Sequence, residues 1–270
     1  MNEEKKKSSK KRKLLIAVIA IAAWAAFGLI IRLIFGPAEK EAFTVEIFAP
    51  SVQLGPLSIS ECTLWGFGVT AVVLILALLF RFICVPRFKQ VPTGLQNALE
   101  LVIEKLDSYS LSQSRTDLGD NCSAYIMALG LYLVGCAALE LFGVRSPSSD
   151  LLTTFALALV TFFLINYYGL ARKGLGGRIK DFTKPTPIMA PIKVITDIAV
   201  PVSMACRLFG NMLAGLIVME LLYYALGNFA AGPPAILGLY FNLFHPLIQA
   251  FIFITLSLSF IGEAAVKEEE

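Results

Sequence analysis

The chain has 270 residues, 57% of them hydrophobic and only 16% charged, and a formal net charge of +3; its mean hydropathy is +0.73. A soluble domain of this size carries about a quarter charged residues, and here the apolar residues fall in blocks too long for core helices. A soluble globular protein is excluded, and an all-α polytopic membrane protein is expected.

Six apolar segments follow one another, at 14–35, 64–84, 124–142, 151–170, 190–227 and 234–262. The first comes after MNEEKKKSSKKRK, which holds seven Lys/Arg in thirteen residues. A signal peptide has a similar basic start. Its apolar region is shorter, however, about 7–15 residues, and ends in a small-residue cleavage site that is missing here. Residues 1–13 are therefore read as a basic cytoplasmic tail and 14–36 as a retained first transmembrane helix. Residues 37–63 form an extracytoplasmic segment, and 64–270 one membrane domain.

Orientation follows the distribution of Lys and Arg. The connection at 81–115 carries Arg81, Arg87, Lys89, Lys105 and Arg115, and that at 171–184 carries Arg172, Lys173, Arg178, Lys180 and Lys184. The alternate connections hold only Lys40, only Arg145, or none. Six spans with both termini in the cytoplasm satisfy every loop, and the acidic tail Glu268–Glu270 does not conflict with this.

Within 91–106, Leu95, Leu99, Val102, Ile103 and Leu106 share one helical face, which predicts an amphipathic helix in the membrane interface. VRSPSSD (144–150) is a tight turn, so 124–170 forms an antiparallel hairpin. The next apolar stretch, 190–227, would be about 57 Å long as one helix, against about 30 Å of hydrocarbon. It contains Pro201, a candidate kink, and the turn GNFAAGPP (227–234) leads into a second long segment containing Pro246. A long tilted hairpin over 190–262 is expected.

That hairpin carries the polar residues. Ser203, Arg207 and Asn211 are spaced i, i+4, i+8 and form one stripe, beside the small residues Ala205, Gly210, Ala214 and Gly215. Asn242, His245 and Gln249, spaced i, i+3, i+7, fall on one face of the partner segment. Such groups can simply bond one another and hold the hairpin together. Arg207 fits that explanation least, because a guanidinium at bilayer depth needs a counter-charge. Asp197 lies ten residues before it, and Glu220 thirteen residues after it on another face. The spacing therefore points to a carboxylate supplied by another subunit.

Five cysteines without CxxC spacing and a single histidine, His245, argue against a zinc or haem centre. The cysteines are read as small apolar packing residues. No nucleotide-binding glycine motif, HExxH motif or internal repeat is present. No cofactor and no nucleic-acid partner are expected.

RLFGNMLAG (207–215), followed by IQAFIF (248–253), resembles the a subunit of F-type ATP synthases. PVSMACRLFGN (201–211), SPSSDLLTTFALAL (146–159) and PTGLQNALE (92–100) extend the resemblance over roughly residues 85–260. It implies a non-catalytic membrane stator of the Fo sector in a bacterial cell membrane. Such a stator faces a ring of c subunits, is held by b-type peripheral stalk subunits and sits in the lipid bilayer with the rest of the synthase. Two offset half-channels would lead a proton or sodium ion to the carboxylate on each c subunit. Arg207 matches the essential arginine facing that carboxylate. Gln249 would orient it, Asn211 would line the adjacent half-channel, and Ser203 matches a further polar position.

The family often has a titratable pair nine residues after the arginine and seven before the glutamine. Here those positions are Leu216 and Asn242. Glu220 and His245 stand one turn further along, about 20 Å and about 6 Å from the level of Arg207. Glu220, with Glu140 at the outer end of the third span, is assigned to the outer vestibule, and His245 to the same water path. Two other readings are an independent secondary transporter, which usually shows a repeat, and a membrane scaffold whose polar residues only pack helices.

Overall fold

The computed structural model describes residues 15, 18–19, 22–34, 36, 49–55, 57–89, 94–183, 188, 190–229 and 237–266. The basic tail 1–13, Lys40, residues 91–93, Lys184, most of the turn at 227–234 and the acidic tail lie outside these residues. Among the described residues, five helices are long and apolar enough to cross a membrane: Glu61–Arg87, Asp120–Leu141, Leu151–Arg178, Ala190–Leu226 and Leu237–Ala265. Of the expected first span, the described residues include the apolar helical stretch Ala22–Ile34 (α1).

The segment 37–63 contains a feature that its sequence reading lacked. Ser51–Leu54 (β1) and Leu57–Ser60 (β2) pair antiparallel, with Val52 opposite Ile59 and Gln53 opposite Ser58. A two-residue loop of this kind needs positive φ, and Gly55 supplies it at 64°. Helix α2 (Glu61–Leu79) starts directly after β2, three residues before the expected boundary.

Two prolines shape the helices in the same way. A π turn at Phe80–Cys84 continues α2, and another at Tyr240–Phe244 precedes α7 (His245–Ala265). Each ends two residues before a proline, Pro86 or Pro246. Proline offers no N–H, and its ring collides with the carbonyl four residues back. A locally wider turn relieves both problems.

The chain divides into two compact units, residues 47–213 with 242–270, and residues 1–46 with 214–241. In the second unit, Trp24 of α1 donates its indole N–H to the carbonyl of Phe229 at 3.0 Å. Their rings meet edge to face, with centroids 6.1 Å apart. Gly28, one turn on, lies directly against the Phe229 ring, where a side chain would overlap it.

In the larger unit, α7 packs against α3 (Leu95–Ser114), α4 (Asp120–Leu141) and α5 (Leu151–Thr183). One core cluster joins Leu129, Leu133, Ala158, Ala250 and Phe253 to Met204, Ala205, Leu208 and Met212 of α6 (Ala190–Leu226). A second cluster joins Cys122, Ile126, Ile165, Leu258 and Ile261. Cys62, Cys122 and Cys136 are buried as packing residues, whereas Cys206 is exposed.

The turn between α4 and α5 is buried rather than a surface loop: Ser146, Pro147, Ser148 and Ser149 are all inside. Buried hydroxyls need partners, and here the hydroxyls bond mostly within the turn and to α4. Ser146 donates to the carbonyl of Cys136 at 3.2 Å, and Ser149 to the carbonyl of Ser146 at 2.7 Å. Arg145 donates to the Ser149 hydroxyl at 3.2 Å. Asp150 then accepts from the Thr63 hydroxyl of α2 and from Thr153 of α5.

The connection expected as a loop at 171–184 is largely helical. α5 continues to Thr183, interrupted at Gly174 by φ 70° and ψ 172°. That backbone suits glycine, and it reverses the chain locally. Arg178 comes within 3.5 Å of the Asn166 amide oxygen, although twelve residues of straight helix would separate them by about 18 Å.

Candidate functional site

The site is built on the α6 stripe. Met204, Leu208 and Met212 form the buried line of this helix, and Ser203, Arg207 and Asn211 are each one residue earlier. One residue is about 100° of rotation, so the polar stripe runs along the edge of the buried face. Ser203 and Arg207 are exposed and Asn211 is half-buried.

Across from it, α7 buries Pro246, Gln249, Ala250 and Phe253. Arg207 and Gln249 line one cleft between α6 and α7, together with Met204, Leu208, Phe253 and Leu256. The cleft has no room for a water molecule. Gln249 is only 7% exposed, and among the described residues its side chain makes no hydrogen bond. Arg207 likewise has no ion pair or hydrogen bond among the described residues, and no bond joins the two side chains. A permanent charge and an unused amide thus stand side by side.

Asp197, the nearest carboxylate before Arg207 on α6, is engaged elsewhere: Arg178 donates to its Oδ2 at 3.0 Å. The sequence reading treated Arg178 only as a loop cation and missed this pair. No helical spacing connects Arg178, in the tail of α5, with Asp197 on the separate helix α6.

The other expected site residues are more scattered. Asn242 lies inside the π turn, so the α-helical spacing that placed it on the face of Gln249 does not hold there. His245 is the first residue of α7 and is half-buried. Glu140 is half-buried in the last turn of α4. Glu220 is exposed on α6, in the smaller unit.

Residues 67–262 match the family described as ATP synthase A chain. The chain belongs to the ATP synthase A chain family. It is 32% identical to ATP synthase subunit a of Desulforamulus reducens over 79% of this chain and 83% of that one. It is 30% identical to ATP synthase subunit a of Moorella thermoacetica over 81% of this chain and 94% of that one. This member of the A chain family is therefore an all-α, multi-pass membrane subunit of the F-type ATP synthase, serving ATP synthesis and ion transport. The matched region includes the cleft of Arg207 and Gln249 and the buried serine turn. Helix α1 and the β-hairpin lie before it.

Proposed function

We propose that this subunit is the ion-translocating stator of Fo, a non-catalytic subunit, and that Arg207 is the charge facing the carboxylate of each passing c subunit. The observation that carries this reading is the state of Arg207: exposed on an apolar helix, with no counter-ion among the described residues. A fixed positive charge favours the ionised form of a carboxylate brought near it. It therefore promotes ion release there and blocks direct passage between two half-channels. Gln249 contributes its unused amide to orienting the guanidinium or the incoming carboxylate. Ser203 and Asn211 extend the polar edge of α6. Asn242, His245, Glu220 and Glu140 belong to the ion pathway, the two glutamates at its outer end. The partners are the c-ring, b-type peripheral stalk subunits and lipid, with both termini in the cytoplasm of a bacterial cell.

The test is Arg207→Lys in the complete synthase. Lysine keeps the charge but loses the planar fork of donors. The expected result is an assembled complex without ion-driven ATP synthesis. Retained coupled synthesis in Arg207→Lys would favour a scaffold role and overturn the proposal.

A further inference from the structure

α6 has a weak point ten residues before Arg207. Pro201 provides no N–H, so the carbonyl of Asp197, four residues earlier, lacks its α-helical donor. At that same residue the side chain is held from outside: the Arg178 guanidinium lies 3.0 Å from Asp197 Oδ2. Arg178 is only 13% exposed at its side chain, and it also donates to Asn166 Oδ1 at 3.5 Å. Asn166 is itself fixed, donating its amide N–H to the carbonyl of Phe162 at 2.9 Å. Gly174, where the chain reverses, makes the approach of Arg178 to Asn166 possible.

We infer that Arg178 is a positioning residue for ion translocation. It splints α6 at its proline-weakened turn and fixes the rotation and height of this helix against α5. This consequence for coupling rests on the reading of Arg207 proposed above. The pair also neutralises Asp197, the one carboxylate on α6 before Arg207. Misplacing a reacting group by about 1 Å is enough to slow a reaction about a hundredfold. A helix free to bend between Asp197 and Arg207 would lose register of that order.

The test uses the complete synthase in inverted membrane vesicles, with two measurements. Hydrogen exchange over residues 190–200 reports the splint itself, and ATP-driven ion pumping reports its consequence. The variants are Arg178→Gln, the reversed pair Arg178→Asp with Asp197→Arg, and Arg207→Ala as reference. Arg178→Gln is expected to accelerate exchange in 190–200 and to lower pumping about tenfold or more. The reversed pair is expected to restore at least half of both. Unchanged exchange in Arg178→Gln overturns the splint. Faster exchange with normal pumping in Arg178→Gln, while Arg207→Ala is inactive, overturns the positioning role. Normal pumping in Arg207→Ala overturns the functional reading instead and leaves the splint to the exchange result. If Arg178→Gln does not assemble, assembly of the reversed pair supports the ion pair, and its failure overturns the inference.

Discussion

The Tyr109 hydroxyl and Thr255 Oγ1 lie 2.5 Å apart, joining α3 to α7. The Thr255 hydroxyl hydrogen is already given to the carbonyl of Phe251 at 2.8 Å, so Tyr109 is the donor of the shared bond. The two ends of this bond are therefore not equivalent. Tyr109→Phe removes a donor and leaves Thr255 satisfied, at a cost of about 1 kcal/mol. Thr255→Val removes the acceptor and strands a half-buried phenol, at a cost of about 1–3 kcal/mol. Thermal unfolding of the detergent-solubilised complex should rank Thr255→Val below Tyr109→Phe. The opposite order would show that the bond runs the other way.

A second contact on α7 involves no side chain at all. Gly262 lies directly against the backbone of Ser114, the last residue of α3. A methyl group there would overlap the Ser114 carbonyl oxygen and lie 2.7 Å from its carbonyl carbon. Backbone cannot rotate away as a flexible side chain can. Gly262→Ala is expected to destabilise by about 1–3 kcal/mol through overpacking, seen as a lower melting temperature. Gly262→Ala with wild-type stability would mean that α3 is free to shift away.

Gly210 gives the contrasting case. It is exposed on α6, one turn after Arg207, and a Cβ there would meet nothing within 4 Å. Taken alone, Gly210→Ala should stabilise the helix by about 1 kcal/mol. If a c subunit packs closely over Arg207, a bulky Gly210→Leu should leave the melting temperature intact yet depress ion pumping. Normal pumping by Gly210→Leu would place the ring contact elsewhere.

Gln249 separates stability from function even more directly. Its side chain makes no hydrogen bond among the described residues, so Gln249→Leu breaks no internal bond and roughly keeps the volume. Such replacements are close to neutral or stabilising. The expected outcome is unchanged or raised thermal stability with ion-driven ATP synthesis reduced about tenfold, a loss of about 1.4 kcal/mol in the barrier. A marked fall in stability would instead reveal a structural hydrogen bond.

The Ser149 hydroxyl is a small hub, accepting from Arg145, donating to Ser146 and lying 3.9 Å from the Cys62 sulfur. Ser149→Ala removes the Arg145 contact and one of two bonds to the Ser146 carbonyl, which keeps the bond from the Ser149 N–H at 3.0 Å, and should cost about 1 kcal/mol. Ser149→Thr keeps the hydroxyl and should cost less. Thermal unfolding of both variants in parallel checks the order.

What could be read along the chain was whatever repeats at helical spacing. The five long apolar helices and the edge position of Ser203, Arg207 and Asn211 follow from hydropathy and 3.6-residue periodicity. The β-hairpin was missed although Gly55 marks its loop, because two strands of four residues give too little alternation to stand out. The buried character of the serine turn was missed because Ser, Pro and Asp signal a turn but not its depth. The Arg178–Asp197 pair was missed for a deeper reason. It joins the tail of α5 to α6, two segments with no common period, and Arg178 was absorbed into a connection counted only for its positive charge.

The π turns carry a final consequence. A π turn is how a helix accommodates one inserted residue without a loop. Ahead of Pro246, the turn at Tyr240–Phe244 is such an insertion, stored in the backbone. Distance along the chain is therefore a faulty ruler in this stretch. The residue seven positions before Gln249 does not stand where seven α-helical steps would put it. A relative with an uninterrupted helix could present a different sequence position at the same point in space. Equivalence between its residues and Asn242 is then a question of superposition, not of counting.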